Sequence, residues 1–146
     1  MTPYSFEFRS SAALIEEVAA RVPLVEDTVY VVLVARPSTE QRIVTIRRLD
    51  TPARIDDWDM AREEIYGLMQ ELPIPQRPRP PRHSALTVLV RGGLCLFGPN
   101  EGRWMAAWRY SNHLANAFDG SMILVTEHGW CDFMTDEAGH SPAMTG

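Results

Sequence analysis

Residues Thr28 to Ala35 read TVYVVLVA, eight positions of which nearly all are apolar or β-branched. A strand with one wet face alternates, whereas one that is apolar at successive positions is covered on both faces. The stretch therefore predicts an inner strand with a layer packed on either side. A turn at Arg36-Pro37-Ser38-Thr39-Glu40 and a second run from Arg42 to Arg48 make it one arm of a hairpin.

Working outward, Leu14, Ile15, Val18, Ala19 and Val22 recur at helical spacing. Ser10 or Ser11 serves as N-cap and Pro23 as stop, giving a first amphipathic helix. After the hairpin, Asp56 or Asp57 caps a second helix with its apolar stripe at Trp58, Ala61, Ile65, Leu68 and Leu72, ended by Pro73. Pro73 to Arg82, PIPQRPRPPR, carries five prolines and three arginines. Proline lacks an amide donor and restricts the residue before it, so this piece reads as a polyproline-like connector. Its PxxP spacing could dock an aromatic groove, but a spacer is the favoured reading.

Beyond the connector, Ala85–Arg91 and Leu94–Phe97 flank Gly92-Gly93, predicting a second hairpin. A third helix is expected from about Asn100 to Phe118, with Gly120 as its left-handed terminator. Met122–Glu127 and Trp130–Met134 form a last hairpin around His128-Gly129, and Thr135–Gly146, poor in apolar residues, is expected to fray. Val32-Leu33-Val34-Ala35-Arg36 is echoed by Val88-Leu89-Val90-Arg91, a hint of a duplicated ββα unit for which chance is the better explanation. The order α-β-β-α-connector-β-β-α-β-β specifies an α+β fold: a largely antiparallel sheet of about six strands with three helices. Residues 1–134 form a single domain with the connector at 73–82, and 135–146 a flexible tail.

The chain has 146 residues, 45% hydrophobic, with a formal charge of −5. The longest apolar runs are far short of the roughly 20 residues that cross a bilayer, so no membrane association is expected. All 14 basic residues are arginine, which with the alanine and proline content points to a GC-rich coding genome, that of a bacterium or a phage. Eight arginines face thirteen acids up to Leu72, and six face six thereafter. A negative chain lacks the global field that holds proteins on nucleic acid, so such a role needs a local arginine patch. Cys95 and Cys131 allow at most one bridge. No signal sequence is legible at the N-terminus, and a reducing cytoplasm, with both thiols as small buried groups, is expected.

On the third helix, Trp104, Ala107, Trp108, Leu114, Ala115 and Phe118 share one side. Arg109, Asn112, His113 and Asn116 form an acid-free stripe opposite, suited to carboxylates, phosphates or a partner's backbone. Asn and His are weak helix formers that a merely solvated position has no reason to select. The leading expectation is a non-enzymatic protein that binds a macromolecular partner, protein more than nucleic acid, through this stripe, with Arg77, Arg79 and Arg82 as a basic flank. An anionic ligand is possible through the same arginines. The alternative is a metal-independent hydrolase or nuclease using His113 with Glu127 or His128. A second is an obligate homodimer of structural role. Glu127, His128, Cys131 and Asp132 cluster in sequence, but alternate strand residues face opposite ways and no ligand spacing is complete. No GxSxG, P-loop or Rossmann fingerprint occurs, and no metal or cofactor is expected.

Overall fold

β1 (Thr28–Ala35) lies second in a six-stranded sheet and is hydrogen-bonded along both edges. This computed structural model describes residues 7–145. The other elements are α1 (Ser11–Arg21), β2 (Arg42–Arg48), α2 (Asp59–Glu71), β3 (His83–Val90), α3 (Pro99–Arg109), β4 (Phe118–Thr126), β5 (Gly129–Asp132) and β6 (Ala138–Gly139), and the sheet runs β2-β1-β3-β4-β5-β6. The class is α+β, as the patterning implies. Every adjacent pair is antiparallel except β3 and β4, which are parallel and joined through α3.

Two-sided cover accounts for the apolar run in β1. Val29, Val31 and Leu33 face α2 and α3, while Tyr30, Val32 and Val34 face α1. Each such aliphatic side chain contributes about 1.5–3 kcal/mol of burial. α1 begins as its sequence specifies, with Ser10 Oγ accepting from Ala13 N at 3.1 Å. Trp104 is fully buried and Trp108 nearly so, and the Trp104 indole donates to Ala53 O at 2.8 Å. The aromatic bulk of the third helix thus turns inward, as its rotation predicts.

Four local expectations are corrected. The Gly92-Gly93 hairpin does not form: β3 pairs with β1 and β4, and Leu94–Phe97 is irregular. The sixth strand is instead β6, within the segment expected to fray. That segment is held by hydrogen bonds from Met144 N to Thr126 O, Thr145 N to Leu24 O and Trp130 Nε1 to Ser141 O. α3 ends at Arg109 rather than near Phe118, because Asn112 adopts φ +53° and Ser111 Oγ bonds back to Trp108 O. Asn tolerates the left-handed region and turns the chain out of the helix. Gly120 lies inside β4, where a Cβ would meet Ala85 O at 2.9 Å.

Arg91 explains the missing hairpin. Its side chain is buried at the end of β3 and bonds Glu101 bidentately, Nε to Oε2 at 2.8 Å and Nη2 to Oε1 at 2.9 Å. The remaining N–H groups go to Gly92 O, Leu94 O and Leu96 O, two of them carbonyls of the expected second arm. Glu101, with no exposed surface, also accepts from Gly98 N and Asn100 Nδ2. Burial alone would raise its pKa, but these donors, Arg91 foremost, hold it below the usual value.

Glu101→Gln is expected to cost about 3–5 kcal/mol at pH 7, since it leaves a buried guanidinium without its counter-charge. A carboxylate whose pKa is depressed by folding stabilises above its unfolded pKa. The wild-type advantage should therefore shrink as pH falls below about 4.5, the ordinary value for this group. Urea titrations of both proteins between pH 7 and pH 3 measure this, and a constant gap would contradict it.

Candidate functional site

The stripe drawn from helical spacing does not exist as a row, because only Arg109 belongs to α3. Asn112 is exposed at the left-handed turn. His113 is folded in, its side chain 8% exposed, with Nε2 2.7 Å from Asp119 Oδ1 and its ring edge-on to Trp108 at 6.0 Å. Asn116 is buried and donates to Pro75 O and Pro78 O, both at 3.0 Å. It clamps the connector, whose proline-rich backbone leaves these carbonyls without strand partners. Helical spacing does not carry through here because Ser111 and Asn112, weak helix formers, terminate the helix.

The alternative catalytic set does not converge. His113 is tied to Asp119 near the start of β4, whereas Glu127 and His128 follow its last residue, Thr126. About eight strand residues intervene, roughly 26 Å. Of the two His113 ring nitrogens, Nε2 is engaged by Asp119 and Nδ1 is buried with no protein partner, so neither is presented to a substrate. Glu127 is exposed. Its own backbone N–H and that of Gly93 hold its carboxyl below the usual range. Asp132 is buried and fully used, accepting from Ser11 Oγ at 2.7 Å, Ser121 Oγ at 2.6 Å and Met134 N at 2.8 Å. It ties α1 to β4 and β5. Among the described residues no group of three or more His, Cys, Asp or Glu side chains could hold a metal ion.

What the structure does build is a cleft of about 300 Å³ where α3 ends over the start of β4. Met105, Trp108, Met122, Phe133 and Met134 supply its apolar wall, and Arg109, Asp119 and Ser121 its polar rim. Gly120 forms part of the floor; a side chain there would meet Ala85 O and the Phe8 ring, at 2.9 and 3.0 Å. The Trp108 indole N–H is buried with no protein acceptor. Phe133 and Met134 are 42% and 48% exposed, large apolar groups left at the surface on one side of the opening.

Charge is distributed by the sheet. Ala35 is opposite both Arg42 and His83, and Arg36 N donates to Arg82 O, which puts these residues at one end. Arg9 joins them through Pro37 O and Thr39 O. β4, parallel to β3, also starts there, with Phe118 opposite Ser84. Arg77, Arg79 and Arg109 therefore lie toward the same end as the cleft. Burial first, and the Arg42 charge second, push the His83 imidazole below its usual value, so it adds no charge at neutral pH. No family model, curated protein or solved structure matches this chain.

The cleft is not legible in the sequence: its walls come from α3, β3, β4 and the 133–134 turn, and of its lining residues only Arg109 belongs to the contact surface that helical spacing suggests. Phe133-Met134, an apolar pair just past a strand, was the available signal. Asn116→Ala should lower stability by about 1–3 kcal/mol through loss of two connector bonds, whereas Arg109→Ala should change it by no more than about 0.5 kcal/mol. Chemical denaturation distinguishes them, and equal losses would show that Arg109 is structural.

Proposed function

We propose that this protein is a non-catalytic binding module that takes an extended segment of a partner protein, an apolar side chain flanked by acidic residues, into the cleft beside Trp108. The observation that carries this reading is the meeting of a mostly apolar cleft with the arginine-rich end of the sheet. Among the described residues no carboxylate pairs with Arg77, Arg79 or Arg109, so their charge is available to a ligand. A Met-lined wall adapts to varied apolar groups, and a buried indole N–H without an acceptor suits a backbone carbonyl. The occupant is favoured over nucleic acid because Asp119 stands on the rim and the chain as a whole is negative. No separate observation favours hydrolysis.

Selection of a random peptide library against the wild-type protein tests this. Enriched peptides should combine a large apolar residue with adjacent Asp or Glu. Arg109→Glu and Met134→Glu, both at exposed positions, should each weaken the best peptide at least about tenfold, equivalent to about 1.4 kcal/mol, with unchanged melting. Tighter binding of a single-stranded oligonucleotide than of any peptide, lost in Arg77→Ala/Arg79→Ala, would replace this reading with a nucleic-acid one.

A further inference from the structure

Cys95 and Cys131, which the binding proposal does not use, stand with their sulfurs 3.4 Å apart. Cys131 is on β5, paired with Leu124 of β4, while Cys95 is in the irregular loop that Arg91 gathers after β3. Cys95 Sγ also approaches Leu124 O at 3.8 Å, and Cys131 Sγ approaches Cys95 O at 3.5 Å. Both residues are half-buried, so a small reagent reaches them while a large one is hindered. We infer that this pair is a redox modification site, a dithiol that a low-molecular-weight disulfide converts into an intramolecular bridge fastening the loop at 92–98 to β5.

The geometry asks little of the chain. A disulfide brings the sulfurs to roughly 2.05 Å, an approach of about 1.4 Å. The loop can supply it, because the Leu94 and Leu96 side chains on either side of Cys95 are 68% and 66% exposed, leaving the Arg91 bonds to their carbonyls as the restraint that must follow the shift. Exchange proceeds in two balanced steps. Cys95 sulfur attacks the reagent disulfide, one reagent thiol leaves with the Cys95 proton, and a mixed disulfide remains on Cys95. Cys131 sulfur then attacks Cys95 sulfur, and the second reagent thiol leaves with the Cys131 proton. Two electrons pass from the protein to the reagent.

The order follows from surroundings. Burial first, then the hydrogen bond and charge of Cys95, push the Cys131 thiol up to about 12, so it is the poorer first attacker. Once Cys95 is capped its hydrogen bond and charge no longer hold the Cys131 thiol up, and the 3.4 Å separation places the Cys131 sulfur to attack that of Cys95. The outcome reaches beyond the sulfurs. The loop at 92–98 displays Leu94 and Leu96, and the bridge fixes how they are displayed.

Intact-mass spectrometry with iodoacetamide trapping, on the full chain equilibrated with glutathione disulfide, tests the site. The expected product is a monomer two hydrogens lighter that takes up no iodoacetamide, with slowed amide exchange at Leu94, Cys95 and Leu96. Cys131→Ser should stop at one glutathione adduct on Cys95, and Cys95→Ser should leave Cys131 largely unmodified. Both serine variants keep a small side chain and should fold, checked by their melting. Adducts on both cysteines of the wild type, a bridge between two chains, or two thiols still open to iodoacetamide would each overturn the inference.

Discussion

A guanidinium taken out of water must place five N–H groups, and in this protein Arg91 places all five: two on Glu101 and one each on the carbonyls of Gly92, Leu94 and Leu96. Much of the local architecture follows from that requirement. The loop wraps around the side chain instead of pairing as a strand, which fixes where Pro99 opens α3. Glu101, third residue of the helix, is held by Arg91 on one side and by Gly98 N on the other, so it caps the helix and closes the charge at once. The same wrapping brings Cys95 against Cys131 and turns Leu94 and Leu96 outward. A single long side chain at the end of β3 thus sets helix entry, loop path and thiol geometry together.

The inner part of the fold was legible because its signal is strong and local. β1 and β2 have the bounds their residues suggest, and α1 and α2 follow their stripes and stops, since each needs only neighbours along the chain to be recognised. The second half was less legible for a definable reason. Leu94–Phe97 has strand composition, but its carbonyls are recruited by a side chain from another element, and nothing in its own sequence announces that. β6 has two residues, Ala138 and Gly139, too few to show any period, and it exists because Trp130 and Cys131 present a pairing edge. The close approach at Gly129, φ +122°, leaves no room for a side chain against Gly139, which is why a glycine stands there.

The candidate site shows the same division. That Trp104 and Trp108 point inward could be read from spacing, since both lie within the true helix. The polar stripe could not survive, because three of its four members lie past the helix end and 100° per residue no longer relates them. Their polar character was nevertheless informative in another sense. Asn112 supplies the left-handed turn, His113 meets Asp119, and Asn116 holds the connector, so side chains unsuited to a helix interior were selected for ending one. The weak helix propensity that suggested a ligand surface was the mark of a terminator.

A net charge of −5 would ordinarily argue against an anionic or acidic ligand, but the sheet separates the charges that the sum combines. Asp27 and Glu127 lie at the end where β1 begins and β4 finishes; there the Arg54 guanidinium donates to Gly92 O while its backbone N–H serves Asp27, and Arg91 is committed to Glu101 and loop carbonyls. Arg36, Arg42 and Arg82 lie at the other end, eight strand residues away. That is about 26 Å, against a screening length of roughly 8 Å at physiological salt. Each end therefore presents its own field to a partner, and the acidic end does not cancel the basic one. In the binding we propose, an acidic segment would be drawn to the end where the cleft opens and turned away from the other, so that its orientation would be set before any apolar side chain enters beside Trp108.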